Sequence, residues 1–140
     1  MTPPLTIIAI AIGLSINAQE KKLNDLSDAL VEGTSLYVGN DPSSTTDSAT
    51  SNIALGKTAL KSITTGDKNT AIGDDALSLN NTGSSNTASG YQTLYNNSSG
   101  NDNTASGCMA LSQNTSGEMN TATGYQALLN NTLGDKNTAY

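Results

Sequence analysis

Tyrosine and threonine side chains recur at fixed spacings in this chain and are its best candidates for contact with a ligand. Tyr91, Tyr95 and Tyr125 offer aromatic faces on which a carbohydrate ring can stack. A row of regularly spaced hydroxyl groups can order water or bind a repeating polar surface. The threonines that recur every seventeen residues are Thr70, Thr87, Thr104, Thr121 and Thr138. The chemistry that these residues predict is recognition of a surface.

The combinations of residues that catalyse many enzyme reactions are missing from the sequence. There is no histidine and only one cysteine, Cys108. Ser-His-Asp triads, Cys-His pairs and Cys/His zinc sites therefore each lack an essential member. Asp74 and Asp75 form an acidic pair that is better explained as a solvated edge, and carboxylates recur too irregularly to form a row of metal sites. We predict a non-catalytic chain without cofactor or metal.

The charge balance argues against nucleic acid as a partner. The chain has 140 residues, with six Lys and Arg against twelve Asp and Glu, which gives a formal net charge of −6. Phosphate binding requires clustered basic side chains, and the only basic pair is Lys21-Lys22. We therefore predict no binding of nucleic acid.

A seventeen-residue unit organises the sequence from residue 52 onward. It reads Asn-Thr-Ala-x-Gly-x-x-Ala-Leu, followed by polar residues and a second glycine, and we number its positions from the asparagine. The copies begin at Asn52, Asn69, Asn86, Asn103, Asn120 and Asn137. A short fixed period of this kind predicts a solenoid, in which each unit forms one coil that stacks on the last. The predicted fold is all-β, a parallel β-solenoid or β-roll of 17-residue coils over residues 52–140.

The repeat supplies few residues to an interior. Each coil has one invariant leucine at the ninth position and small residues at the third and eighth. In the predicted strand, the third and fifth positions (Ala and Gly) share one face and the second and fourth share the other, and we expect Ala and Gly on the crowded side. Such a thin core hardly offsets the entropy of ordering seventeen residues. We therefore predict that other copies cover apolar surface in a homotrimer.

The amino-terminal part predicts export. An apolar run at residues 5–16, followed by Asn17-Ala18-Gln19, is typical of a signal peptide over residues 1–18, although no Lys or Arg precedes it. The run is too short to span a bilayer, and no later segment is long or apolar enough to do so, so we predict no membrane insertion of the mature chain. The alternative is a buried helix or strand of a cytosolic protein.

Two short segments separate this run from the repeats. Leu23, Leu26 and Leu30 have helical spacing and predict a short amphipathic helix in a leader over residues 19–34, with a flexible leader as the alternative. Residues 35–51 lie one period upstream of Asn52 and keep only the strand part of the repeat. They predict a degenerate capping coil, because terminal repeats must close an open end.

The sequence of the repeat resembles that of a known family. Asn-Thr-Ala-Thr-Gly-Tyr-Gln-Ala-Leu (residues 120–128) and Asn-Thr-Ala-Ser-Gly-Tyr-Gln-Thr-Leu (residues 86–94) resemble repeats of secreted TMF-family and tail-fibre-domain proteins of Bacteroidota. More distantly, they resemble the heads of YadA-type trimeric autotransporter adhesins. The resemblance implies a parallel β-roll, a trimeric fibre and a role in surface attachment. The chain stops within a repeat, which predicts that it is a fragment of a longer fibre.

The function expected from the sequence is that of an exported structural or adhesive segment of a bacterial cell-surface or tail-fibre-like protein. Its location would be secreted or on the outer cell surface, and its ligand a surface glycan or a host or particle component. The alternative is an ice-binding β-solenoid that presents the threonine row. Two parallel threonine rows are usual for that function, and only Thr121-Ala122-Thr123 supplies both members.

Overall fold

The chain folds as a β-solenoid whose strands form one sheet in sequence order. The computed structural model describes residues 29–32, 35–38 and 48–140. Strands β2 to β8 are parallel, and β1 pairs antiparallel with β2. The strands β1 to β8 are Ala29–Glu32, Ser35–Val38, Ile53–Leu55, Thr70–Ile72, Thr87–Ser89, Thr104–Ser106, Thr121–Thr123 and Thr138–Ala139. The predicted all-β parallel solenoid of 17-residue coils is confirmed.

Each coil lies directly on the next without any shift of register. Ala54 pairs with Ala71, and Ala71 pairs with Ala88. The amide of Thr70 donates to the carbonyl of Asn86 at 2.8 Å, and equivalent bonds join the other coils. Residues at the same repeat position therefore stack in a column. Successive members of a column are about 4.8 Å apart, the usual distance between strands.

The core is narrow but is closed within one chain. The third-position alanines of β3 to β7 are fully buried, which confirms the expectation that Ala faces the crowded side. Leu60, Leu77, Leu94 and Leu111 at the ninth position are also fully buried. The leucines that motivated the trimer prediction are thus covered by their own chain.

Buried asparagines complete the interior. The side chain of Asn103 donates from Nδ2 to Asn86 Oδ1 at 3.1 Å and to the carbonyl of Gly117 at 2.8 Å. Its own Oδ1 accepts from the backbone amide of Asn120 at 3.0 Å. The same bonds recur in neighbouring coils, so the first position forms a continuous amide ladder. Buried polar groups are stabilising only when satisfied, and this ladder satisfies them.

A second amide ladder runs beside the first and was not predicted from the sequence. At the twelfth position, Asn114 Nδ2 donates to Asn97 Oδ1 at 2.7 Å and to the Gly117 carbonyl at 2.9 Å. The Gly117 carbonyl oxygen therefore accepts one bond from each ladder. Its sequence signal is the return of asparagine at Asn80, Asn97, Asn114 and Asn131.

The two glycines of each coil are needed for different reasons. Those at the fifth position have φ between +122 and +139°, a region that L side chains rarely adopt. Those at the fifteenth position are required by contact, since a Cβ on Gly100 would lie 2.5 Å from the Gly117 carbonyl oxygen. Glycine is thus required at one corner by positive φ and at the other by crowding.

Three further residues in each complete coil adopt left-handed backbone geometry although they carry side chains. They occupy the seventh, ninth and seventeenth positions, and the ninth-position leucines have φ of 50 to 52°. Such geometry costs roughly 1–2 kcal/mol for an ordinary L residue. The first-position asparagines do not adopt this geometry within the described coils, although asparagine tolerates it better than most residues. The corners of the coil are therefore strained at positions that the sequence does not reveal.

The helix prediction was wrong at its carboxyl end. Ala29–Glu32 form β1, and Leu30 pairs with Tyr37 of β2. Because β1 covers the edge of β2, its backbone hydrogen bonds close the amino-terminal end of the sheet, and this hairpin pairing overrides the helical spacing. Residues 19–28 of the predicted helix and the predicted signal peptide, residues 1–18, lie outside the described residues.

Strand β2 has the register expected of a coil one period upstream. Leu36 pairs with Ile53, and the Ser35 hydroxyl accepts from the Asn52 amide at 2.9 Å, as a first-position asparagine would. Tyr37 is fully buried in the column that holds alanine in later coils. Residues 39–47 of this coil lie outside the described residues.

The first amide ladder provides a direct test of this architecture. Asn103→Ala removes two side-chain donors and leaves the buried Asn120 amide unsatisfied. We expect a loss of roughly 3 kcal/mol of stability, since each unsatisfied buried group costs about 1–3 kcal/mol. Urea unfolding followed by circular dichroism measures it, with the exposed Asn130→Ala as control. Equal unfolding midpoints for the two variants would refute the structural role of the ladder.

The strained corners predict opposite effects for the same kind of substitution. Met119 is exposed with φ of 56°, so Met119→Gly should stabilise the fold by about 0.5–1 kcal/mol. Leu133 is also exposed and does not have positive φ, so Leu133→Gly should destabilise it by a similar amount. Thermal unfolding of both variants tests the sign. Two changes of the same sign would contradict the backbone geometry.

Candidate functional site: the outer sheet face

The side of the sheet that faces away from the core is a regular surface of the described chain. We call it the outer sheet face and define it as the second and fourth repeat positions of β2 to β8. None of the residues at these positions is charged. They are Leu36, Val38, Ile53, Leu55, Thr70, Ile72, Thr87, Ser89, Thr104, Ser106, Thr121, Thr123 and Thr138. Parallel strands in strict register place them in two straight columns.

The structure brings the candidate threonines together in the first of these columns. Thr70 pairs with Thr87, and the same register continues to Thr104, Thr121 and Thr138. Thr87, Thr104 and Thr138 are exposed, while Thr70 and Thr121 are half-buried. Their hydroxyl-bearing side chains therefore repeat about every 4.8 Å along the solenoid.

The second column holds hydroxyl groups that the sequence analysis overlooked. Ser89, Ser106 and Thr123 are exposed at the fourth position of β5, β6 and β7. The pattern Thr-x-Thr fits only the last of these coils. Counting serine as an equivalent hydroxyl at the fourth position would have found all three. Coils from β5 to β7 thus carry two parallel hydroxyl rows.

The amino-terminal end of the same face is apolar. Leu36 and Ile53 occupy the first column, while Val38, Leu55 and Ile72 occupy the second. We call these five residues the apolar patch. Four of them are exposed and Val38 is half-buried. The outer sheet face is therefore divided into an apolar end and a hydroxyl end.

The candidate tyrosines do not form a single stacking platform. Tyr91 and Tyr125 occupy the sixth position, two residues after β5 and β7, and are 48% and 72% exposed. They are two coils apart, with the half-buried Cys108 between them. Tyr95 is half-buried at the tenth position, away from both. Only Tyr91 and Tyr125 are thus well placed to contact a large ligand.

Charged residues border the apolar end of the face. Asp67 and Lys68 precede β4, and Asp74 follows it. Lys57 follows β3. Two of these carboxylates accept hydrogen bonds from backbone amides. Thr50 N donates to Asp67 Oδ1 at 2.7 Å, and Lys57 N donates to Asp74 Oδ1 at 3.0 Å.

The part of the chain that the structure describes contains no cluster of three or more His, Cys, Asp or Glu side chains arranged for a metal ion. Within the same residues, no helix has the length and apolar character needed to cross a bilayer.

Comparison with known proteins gives no family assignment. No protein-family model matches the chain, and neither a curated protein nor a solved structure matches it. The functional argument therefore depends on the outer sheet face and the exposed tyrosines.

Proposed function

We propose that this chain is an exported, non-catalytic structural and adhesive segment of a bacterial cell-surface or tail-fibre-like protein. It would act as a homotrimer at the outer surface or in secreted form, with a surface glycan or a host or particle component as its ligand. The observation that carries the proposal is the outer sheet face, which is regular and uncharged. Such a face suits contact with other surfaces.

The rigidity of the coil stack supports a structural role. Backbone hydrogen bonds join every coil from β2 to β8, and two side-chain amide ladders run through the interior. A one-dimensional stack of this kind holds exposed side chains at fixed distances along its axis. A fibre that presents ligand-binding groups needs this property. Export is supported by the apolar run at residues 5–16.

Ligand contact is best assigned to the exposed tyrosines beside the sheet. Tyr91 and Tyr125 project from the turns that follow two strands, and their rings retain much accessible area. Aromatic rings with a polar tip bind carbohydrates by stacking and hydrogen bonding at low entropic cost. A glycan long enough to reach two coils could contact both.

Glycan-array binding of the full chain tests the adhesive proposal. The double variant Tyr91→Ala/Tyr125→Ala should lose at least about 1.4 kcal/mol of binding free energy, which is tenfold in affinity. Leu133→Ala removes a comparably exposed apolar side chain elsewhere and should bind like wild type. Wild-type protein that retains no glycan, or a double variant that binds equally well, would reject this ligand assignment.

Ice binding is a second candidate, and the two hydroxyl rows favour it. Thr87, Thr104 and Thr121 stand beside Ser89, Ser106 and Thr123 in three successive coils. Flat, regular and uncharged hydroxyl rows can hold water in an ordered layer. The apolar patch interrupts the rows at the amino-terminal end, which limits the usable surface to the later coils.

Thermal hysteresis of the full chain tests this candidate. If the rows bind ice, wild-type protein shows hysteresis and Thr104→Lys abolishes it, because a long charged side chain interrupts the flat surface. Ser116→Lys places the same side chain at an exposed position outside the face and should leave the activity unchanged. Wild-type protein without hysteresis would eliminate ice binding.

A further inference from the structure

We propose that Tyr91 and Tyr125 hold a single sugar ring between them, in the gap that Cys108 leaves. This inference rests on the glycan ligand of the proposed function and deepens it, since it names the part of the glycan that binds. The ligand class is a neutral hexopyranose at the end of a glycan. The two tyrosine rings contact opposite faces of this one sugar.

The tyrosines and the cysteine stand in one column at the sixth repeat position. The backbone fixes this column, because Met109 N donates to Tyr91 O and Gln126 N donates to Cys108 O, both at 2.9 Å. The corner of the coil therefore keeps the spacing of the sheet. Because Tyr91 and Tyr125 are two coils apart, their backbone positions are separated by about 9.6 Å, twice the distance between strands.

The cysteine in the middle of the column creates a gap between the two tyrosines. Tyrosine extends through its ring to the hydroxyl group, whereas cysteine ends at its γ atom. Tyr91 and Tyr125 are exposed, and Cys108 is half-buried between them. The cysteine therefore forms the floor of the gap, and the longer tyrosine side chains form its two walls.

The width of the gap suits one ring with the chair shape of a sugar. Carbon atoms in contact are about 3.5–4.0 Å apart, so two rings on either side of one flat ring are separated by about 7–8 Å. A pyranose chair is thicker than a flat aromatic ring, because it carries hydrogen atoms or hydroxyl groups on both faces. Two stacked rings would need walls about 10.5–12 Å apart. The gap therefore accommodates one chair and excludes a pair of stacked rings.

The residues around the gap are polar but carry no charge. From the fourth to the seventh position, the three coils read Ser-Gly-Tyr-Gln, Ser-Gly-Cys-Met and Thr-Gly-Tyr-Gln. The exposed hydroxyl of Ser106, two residues before Cys108, can both donate and accept a hydrogen bond, as sugar hydroxyls require. Asp74 and Asp75 lie in the coil before Tyr91, and the chain has a net charge of −6. These negative charges disfavour an anionic sugar, so we assign a neutral one.

Filling the gap in the full chain tests the proposal. Cys108→Tyr completes the tyrosine column, and binding on a glycan array should fall about tenfold or more because the new ring occupies the place of the sugar. Cys108→Ala removes the thiol without filling the gap, so it should weaken binding far less. Ser116→Tyr is the matched control, since it adds the same ring to an exposed position of the same coil outside the column. Circular dichroism checks that each variant is folded.

A platform of outward-facing rings would give the opposite result. If the tyrosines bind an extended glycan on their outer edges, a third ring adds contact, and Cys108→Tyr binds at least as tightly as wild type. That result would overturn the gap and leave the adhesive proposal intact. A Cys108→Ala variant that binds as weakly as Cys108→Tyr would also overturn the gap. Wild-type protein that retains no glycan would overturn both proposals.

The Cys108 thiol provides a second measurement that requires no substitution in the gap. It is the only thiol of the chain, so the rate of its alkylation by iodoacetamide reports on the floor of the gap. The probes are the methyl glycosides of glucose, galactose and mannose. At saturating concentration, at least one of them should slow alkylation several-fold in wild-type protein, because the bound sugar covers the thiol. The same probe should have no effect on Tyr91→Ala/Tyr125→Ala.

The methyl glycoside of glucuronic acid is the charged control for this assay. It has the same ring with a carboxylate, and we expect it to leave the alkylation rate of wild-type protein unchanged. Protection by this compound equal to that by the neutral probes would overturn the assignment of a neutral sugar. Alkylation that none of the three neutral probes slows, in a protein that binds the glycan array, would overturn the gap.

Discussion

The register between successive coils is the constraint on which the rest of the structure depends. Because the offset is seventeen residues at every described pair of parallel strands, each side chain stands on its own counterpart. Identical asparagines can then bond to one another in a column, and the Gly117 carbonyl can accept from both amide ladders. A shift of one residue would break these bonds in every coil. The amide ladders therefore fix the register between coils.

This constraint also explains how a narrow core supports strained corners. Leu94 is fully buried with φ of 52°, a geometry that costs free energy in an ordinary chain. The coils above and below hold it in place, since Leu94 N donates to Ala110 O at 3.0 Å and Leu77 N donates to Thr93 O at 3.0 Å. Hydrogen bonding between layers therefore contributes what a larger hydrophobic interior supplies in globular domains.

The same frame leaves the outward positions free to differ between coils. Ala54 and Ala105 are equally buried at the third position, yet their strand neighbours change from Ile53 and Leu55 to Thr104 and Ser106. The strand register is the same at both places, because outward side chains do not enter the amide ladders. One end of the outer sheet face is thus apolar while the other carries hydroxyl groups. Varied surface chemistry on an unchanged frame is characteristic of repeat architectures.

The sequence alone determined the coil and its period, because strict recurrence at seventeen residues is compatible with few folds. It did not determine which polar residues are inside. Asn96 and Asn97 are chemically identical neighbours, but only Asn97 is fully buried, where its Nδ2 donates to Asn80 Oδ1 and to the Gly100 carbonyl. Nor did local spacing reveal that Leu30 joins a strand, because its partner Tyr37 belongs to another strand. Burial and strand pairing arise from contacts between segments, and only the tertiary structure sets these.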